Sequence, residues 1–286
     1  MPDPISRRHA LKATASVVGA IAAPLSVSAS LPPQGGAAFK QGVARWCYGK
    51  IPLDEFARAI AAMGIQGVDL VGPDDWPTLK NHGLVCSITS GGGTIPDGLN
   101  RRENHDKIEQ EFRRNIPRAA AAGVPNVITF SGNRRGLSDQ EGLENCVIGL
   151  NRIKGLAEEH GVTICLELLN SKVDHKDYQC DHTAWGVEVV RRVNSPRVKV
   201  LYDIYHMQIM EGDVIATIRA NRDWIGHYHT GGVPGRHEID GSQELNYPAI
   251  LRAIAETGFS GFVGHEFTPT RDPLTSLREA VRICTV

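Results

Sequence analysis

The sequence predicts an α/β fold, a single (β/α)8 TIM barrel preceded by an export signal. Apolar, strand-like runs alternate with helix-like stretches from residue 43 to the C-terminus, the pattern typical of a parallel β/α sheet. Four of the later runs end in a side chain that binds metals, namely Glu167, Asp203, His229 and Glu266. Because all strands of such a barrel end on one face, these distant residues are expected to meet there. The length of 286 residues suits one large domain better than two small ones.

Residues 1–29 are predicted to be a twin-arginine signal peptide. Arg7-Arg8 lies in a stretch that resembles the export motif, a moderately apolar segment follows from Ala13 to Val27, and small residues end at Ala29. We therefore expect export to the periplasm, with no stable membrane insertion once the signal is cleaved. Cleavage after Ala29 would leave 28 basic and 31 acidic residues, a formal charge of −3.

The rest of the chain divides into a linker at 30–42, rich in proline and glycine, and a barrel catalytic domain at 43–286. Eight strands are predicted, at 43–48, 66–71, 84–88, 125–131, 162–168, 197–203, 225–230 and 261–267. Helices are predicted at 52–63, 101–122, 139–160, 182–193, 213–220, 246–257 and 273–283, with a shorter turn at 73–82. An open doubly wound sheet is the alternative, but it usually has a glycine-rich phosphate turn after its first strand, and only Tyr48-Gly49-Lys50 stands there.

Composition narrows the class of partner. The net charge of −1 argues against nucleic acid, and the body of the chain has no apolar run long enough to span a membrane. A small sugar or keto acid is the expected partner, and a homo-oligomer remains open. The six cysteines form no C-x-x-C pair, so no zinc ribbon or redox motif is indicated, and Cys180, in a polar stretch, is expected to be exposed.

Strand alternation places the four terminal residues on the interior face of successive strands. Three carboxylates and one imidazole form a mixed oxygen–nitrogen site that suits a divalent cation. Without a cation, three like charges at one barrel mouth would repel strongly. His227 shares a face with His229, and we interpret it as a residue that packs behind the site.

Several motifs resemble those of hydroxypyruvate isomerase, a member of the xylose-isomerase-like barrel superfamily that also includes the tagatose 3-epimerases. They are Glu167-Leu168-Leu169-Asn170, Asp203-Ile204-Tyr205-His206, Pro234-Gly235-Arg236-His237-Glu238, Glu244-Leu245-Asn246-Tyr247 and the stretch 126–136. The resemblance runs from about residue 43 to 284.

The resemblance implies one divalent cation held by Glu167, Asp203, His229 and Glu266. Mn²⁺ is the expected ion, with Mg²⁺, Co²⁺ or Zn²⁺ as alternatives. His206 and Arg236 match substrate-contacting positions. His229 stands where many hydroxypyruvate isomerases have Gln, as it does in the epimerases, so the substrate stays open.

These residues predict an isomerase or epimerase of a small hydroxy-carbonyl compound. The cation would polarise the carbonyl and stabilise an enediolate, while Glu167 and Glu266 remove and return the proton as the catalytic pair. Three alternatives remain: a lyase acting on 3-keto-glycosides at the same site, an endonuclease for abasic DNA, and a non-catalytic periplasmic sugar binder.

The glycine-rich loop 230–246 is predicted to fold over the barrel mouth as a lid. Its acidic residues Glu238 and Asp240 are expected to face solvent, with ion pairs within the lid as the alternative. Trp46 is expected in the hydrophobic core.

Overall fold

The computed structural model describes residues 39–286; the predicted signal at 1–29 and most of the predicted linker lie outside this range. Eight parallel strands pair in chain order and close into a barrel, with β1 hydrogen-bonded to β8. The predicted TIM barrel is thus confirmed. The strands are β1 Lys40–Ala44, β2 Gly67–Asp69, β3 Val85–Gly92, β4 Asn126–Thr129, β5 Thr163–Glu167, β6 Val198–Asp203, β7 Ile225–Thr230 and β8 Phe262–His265.

The first strand lies further toward the N-terminus than the predicted 43–48. It starts at Lys40, within the segment assigned to the linker, and ends at Ala44, where a 3-10 helix at Arg45–Tyr48 begins. Gln41 to Val43 pair with β8, so these residues belong to the barrel wall.

Ten α-helices surround the barrel in the described range. They are α1 Leu53–Ala62, α2 Trp76–Asn81, α3 His105–Ala122, α4 Asp139–Asn151, α5 Lys154–His160, α6 Thr183–Val193, α7 Ile204–Met210, α8 Val214–Asn221, α9 Tyr247–Glu256 and α10 Pro273–Cys284. None of the helices between residues 39 and 286 is long and apolar enough to cross a membrane. The predicted helix 139–160 is divided into α4 and α5, and α7 was not predicted.

Glycines end two of the helices that lead into strands. Gly123 follows α3 with φ +76° and Gly161 follows α5 with φ +67°, both in the left-handed region that side chains disfavour. Each glycine reverses the chain so that the next strand can enter the barrel two or three residues later.

The barrel interior is divided into an apolar layer and a polar one. Ile88, Ile128, Cys165 and Leu201 form a separate buried cluster. Cys165 and Leu201 lie two residues before Glu167 and Asp203, so the acidic side chains form the next layer toward the carboxyl ends of the strands. Cys180, expected to be exposed, is instead fully buried, because the loop after β5 packs it against the main core.

Candidate active site and metal centre

Four side chains from consecutive strand ends gather at the carboxyl face of the barrel. Glu167 and Asp203 are the last residues of β5 and β6, His229 is next to last in β7, and Glu266 directly follows β8. All four are buried, and one ligand atom from each lies within 4.8 Å of the others. The structure therefore brings together the set expected from the strand pattern.

His229 is at the centre of this group. Its Nδ1 lies 2.8 Å from Glu266 Oε2, 3.5 Å from Glu167 Oε1 and 4.0 Å from Asp203 Oδ2. The same nitrogen is buried and has no hydrogen-bond partner. The three buried carboxylates around this nitrogen carry more negative charge than the one guanidinium beside them, that of Arg236, can balance. A divalent cation fits this donor set, since imidazole nitrogen and carboxylate oxygen are the ligands that Mn²⁺, Co²⁺ and Zn²⁺ accept.

Burial and mutual charge shift the pKa values of the carboxyl groups in different directions. Burial raises the pKa of Glu167, and repulsion from Glu266 adds to the effect. Burial also raises the pKa of Asp203, to about 7, although Arg236 opposes it. For Glu266, the charges of His229 and Arg236 outweigh burial and lower the pKa. Two carboxyl groups with opposed shifts are typical of acid–base pairs.

Asp69 is a site residue that the sequence analysis missed. It ends β2, is fully buried, and its Oδ2 lies 3.0 Å from His227 Nε2 and 3.2 Å from His229 Nε2. His227 therefore does lie behind the site, as expected, but it is held by a carboxylate from across the barrel. The available signal was the acidic residue inside the apolar run 66–71, on the same face as Gly67.

Arg236 reaches the acidic group from the loop after β7. Its Nη2 donates to Glu266 Oε2 and lies 3.2 Å from Asp203 Oδ2, while Nε donates to the Glu266 carbonyl at 3.1 Å. The guanidinium lies between the rings of Trp46 and Tyr205, 5.6 and 5.2 Å from their centroids. The guanidinium of Arg236, a residue expected to contact substrate, thus contacts two carboxylates of the site.

His206, the second expected substrate contact, is fully buried at the start of α7. Burial and the charge of Arg236 hold its pKa well below the usual value, so the ring is neutral. Asn170 Oδ1 accepts from the backbone N–H groups of Val173 and Asp174, which directs its Nδ2 to His206 Nδ1 at 2.7 Å. Its Nε2 lies 2.9 Å from Arg236 Nη1, which can only donate, and 3.6 Å from Asp203 Oδ2, so the ring is held between Asn170 and Arg236.

Trp46 is at the barrel mouth rather than in the core, which corrects the expectation above. It is 49% exposed, and its Nε1 donates to Glu266 Oε1 at 2.6 Å. The 3-10 helix after β1 turns the side chain out of the barrel wall toward the strand ends. The hydrogen bond occupies the Glu266 oxygen that points away from His229.

Glu238 is also placed differently from the expectation of solvent exposure. It is 5% exposed, and it accepts hydrogen bonds from Thr270 N at 2.8 Å, Thr270 Oγ1 at 2.9 Å and Ser276 Oγ at 2.8 Å. Asp240 is partly exposed and pairs with Arg271 at 2.7 Å. The loop that carries Arg236 is therefore tied to the segment between β8 and α10.

The barrel and its buried carboxylate–imidazole group define a class of protein: a (β/α)8 barrel with a candidate metal site at the carboxyl ends of its strands. A sequence model of the family described as "Xylose isomerase-like TIM barrel" matches residues 76–285. The chain belongs to this family, and the resemblance seen in its motifs is confirmed.

Three relatives illustrate the sequence similarity. A protein of Danio rerio named "Putative hydroxypyruvate isomerase" is 30% identical over 56% of this chain, which spans 62% of its length. A human protein of the same name is 26% identical over 85% of this chain and 84% of its own. A 2-oxo-tetronate isomerase of Pectobacterium atrosepticum is 28% identical over 76% of this chain and 86% of its own.

Solved structures show the same barrel. An AP endonuclease of family 2 from Brucella melitensis superposes with a TM-score of 0.73 and 28% identity, covering 84% of this chain and 97% of its own. D-Psicose 3-epimerase from Clostridium cellulolyticum H10 superposes with a TM-score of 0.72 and 18% identity, covering 87% and 100%. At 18% identity the second match supports the fold alone.

Proposed function

We propose that this protein is a divalent-metal-dependent isomerase or epimerase of a small hydroxy-carbonyl compound. The observation that carries the proposal is the buried His229 Nδ1 among three carboxylates, two of which belong to residues suited to proton transfer. Relatives named as hydroxypyruvate and 2-oxo-tetronate isomerases support an enzyme of isomerase type acting on a small molecule.

Glu167, Asp203, His229 and Glu266 would hold the cation. When bound, the cation supplies Lewis acidity toward the carbonyl oxygen of the substrate. Three carboxylates and one imidazole favour Mn²⁺, with Mg²⁺, Co²⁺ and Zn²⁺ as the other ions of this ligand class.

Glu167 and Glu266 are the proposed proton-transfer pair. They approach His229 from strands on opposite sides of β7, so a substrate above His229 has one carboxyl group on each flank. One carboxylate removes the proton beside the carbonyl, and the other carboxyl group delivers a proton to the neighbouring carbon or to the opposite face. His206 and Arg236 would line the substrate side of the site, where Arg236 contacts His206 Nε2 and holds Glu266 in place.

The substitutions Glu167→Gln and Glu266→Gln test this proposal. Wild-type protein loaded with Mn²⁺ is incubated in D2O with hydroxypyruvate, a panel of ketoses and a 3-keto-glycoside, and proton NMR follows deuterium exchange beside the carbonyl. Glu244→Gln, on an exposed part of the loop after β7, is the matched control. We expect exchange and isomer formation in the wild type and control, and at least a hundredfold loss in either test variant.

The alternatives are distinguishable in the same assay. Release of the aglycone from the 3-keto-glycoside would identify a lyase. Binding of a sugar without exchange or turnover would identify a binding protein and refute the enzymatic proposal.

We further propose that residues 1–29 direct export through the twin-arginine route to the periplasm. The basic, apolar and small-residue order of this segment supports the proposal. A reporter fused after residue 38 should be exported, and replacing Arg7 and Arg8 by Lys should retain it in the cytoplasm; export of the Lys variant would contradict the assignment.

A further inference from the structure

Asp69 is a fully buried carboxylate that the proposed reaction does not use. Within the described part of the chain, no Lys or Arg lies within ion-pair distance of it; its charged-group contacts are the two imidazoles of His227 and His229. The hydroxyl of Ser87 donates to its other oxygen, Oδ1. A buried carboxylate is stable only when hydrogen bonds satisfy it, so these three donors account for its presence in the barrel.

The barrel wall leaves room for this carboxylate through glycines. A Cβ at Gly264 of β8 would lie 1.9 Å from Asp69 Oδ2, and a Cβ at Gly67 would lie 2.6 Å from Ser87 Oγ. At Gly42 of β1 a Cβ would be 3.5 Å from Asp69 Oδ1. The Gly42 distance is an ordinary van der Waals contact, whereas Gly264 and Gly67 leave space that Asp69 and Ser87 need, so the position of Asp69 is tied to the sequences of β2 and β8.

The chemistry of the contact fixes the protons. An ionised carboxylate only accepts hydrogen bonds, so both imidazoles donate their Nε2–H to Asp69 Oδ2. His229 Nδ1 then faces Glu167, Asp203 and Glu266, and it is the nitrogen that would offer its lone pair to a cation. His229 Nδ1 and His227 Nδ1 are both buried without a hydrogen-bond partner. Only His229 has carboxylates around that nitrogen, so it alone has a ligand function to gain.

We propose that Asp69 is a positioning residue that holds His229 in the Nε2–H tautomer and at the orientation needed for cation binding. His227 contributes by donating to the same oxygen and so fixing Asp69 itself. The inference rests on the proposed metal site, which it deepens. Carboxylates that accept from the far nitrogen of a metal-binding histidine typically contribute 10- to 100-fold to metal affinity.

The substitution Asp69→Asn tests the inference through Mn²⁺ affinity rather than activity. Asn has one acceptor oxygen, no charge and an added NH₂ donor, so it cannot accept hydrogen bonds from both imidazoles and from Ser87 as the carboxylate does. Thr129→Val is the matched control, because it removes another buried barrel hydroxyl, bonded to the Gly92 carbonyl, without touching Asp69. Titration of metal-free protein with Mn²⁺, followed by the EPR signal of the free ion, gives the dissociation constant.

We expect the dissociation constant to rise about 10- to 100-fold in Asp69→Asn and to change less than about twofold in Thr129→Val. A dissociation constant in Asp69→Asn within threefold of wild type would overturn the role of Asp69 while leaving the metal site intact. Wild-type protein that binds neither Mn²⁺ nor Zn²⁺ would overturn both.

A measurement on the wild type covers the case in which Asp69→Asn does not fold. In protein loaded with Zn²⁺ and labelled with ¹⁵N, long-range ¹H–¹⁵N spectra report which ring nitrogen of each histidine carries a proton. Protons on Nε2 of both His227 and His229, with Nδ1 of His229 metal-bound, support the inference. A proton on His229 Nδ1, or none on Nε2, would overturn it.

Discussion

Replacing Glu238 by Gln would test how the loop that carries Arg236 is held to the barrel. The buried Glu238 carboxylate accepts from the backbone N–H and hydroxyl of Thr270 and from the hydroxyl of Ser276. Gln keeps the shape and one acceptor oxygen but removes the charge. A hydrogen bond to a charged group contributes about 1.5–3 kcal/mol and a neutral one about 0.5–1.5 kcal/mol, so weakening these three bonds by roughly 0.7–1 kcal/mol each should cost about 2–3 kcal/mol in total.

Thermal unfolding provides the assay. For a domain of this size, 1 kcal/mol corresponds to roughly 2–4 °C in Tm, so we expect Glu238→Gln to unfold about 5–10 °C lower than the wild type near pH 7. Glu244→Gln, on an exposed part of the same loop, should stay within about 1 °C, since surface substitutions of this kind are usually close to neutral.

The pH dependence makes the prediction specific to the charge. Burial alone would raise the pKa of Glu238, but the hydrogen bonds to its carboxylate lower it from 4.5 to about 2. A carboxyl group whose pKa is lower in the folded state than in the unfolded state stabilises the fold at pH values above the unfolded-state pKa. This stabilisation is lost as the pH falls from about 4.5 toward 2. The Tm difference should therefore be constant at neutral pH and shrink below pH 4.5. A difference under 1 °C at pH 7, or one independent of pH, would refute the assignment of Glu238 as a charged tie.

Three further outcomes follow from the site. Removing divalent cations with a chelator should lower the Tm measured by differential scanning calorimetry. Adding Mn²⁺ at about 100 times its dissociation constant should then raise the free energy of unfolding by roughly 2.7 kcal/mol, and an unchanged Tm would argue against a cation site. Trp46→Phe keeps an aromatic ring near Arg236 but removes the hydrogen-bond donor to Glu266 Oε1. We expect kcat/KM to fall about 5- to 20-fold with the Tm nearly unchanged. Unaltered kinetics would show that this hydrogen bond has no part in turnover. In the native protein a thiol reagent should modify Cys47 alone, because the other five cysteines are buried. The modification should be slow, because burial raises the pKa of the Cys47 thiol. Rapid modification of Cys180 would contradict its position in the core.

The barrel and four members of the site were predictable because their signals are local. Strands of a parallel barrel are covered on both faces, so they appear as apolar runs, and the residue that ends each run lies at the active face. Glu167, Asp203, His229 and Glu266 each close such a run, so strand alternation was sufficient to group them.

Asp69 was not predictable in this way because its signal is not local. It lies inside the apolar run 66–71 rather than at its end, since β2 is only three residues long and stops at Asp69. Its partners His227 and His229 are 158 and 160 residues away in sequence. Only the closure of the barrel shows that they meet.

Loop side chains were misplaced for a related reason. The composition around Glu238 and Cys180 is polar, which usually indicates exposure, yet each lies in a segment that folds back onto the barrel. The prediction for Trp46 was wrong in the opposite direction, because an aromatic residue beside an apolar run normally packs in the core. In all three cases the packing of the chain beyond the segment decides exposure, and no local pattern records it.

The absence of a side chain at Gly264 has an evolutionary consequence, because it couples this position to Asp69. Any residue larger than glycine there would overlap the carboxylate of Asp69, so Gly264 cannot gain a side chain while Asp69 is present. Among relatives, chains that keep the aspartate should also keep the glycine, and chains that acquire a side chain at the second position should have lost the acid at the first. Co-variation between these two columns of a family alignment would indicate that the two residues are constrained by their steric fit inside the barrel.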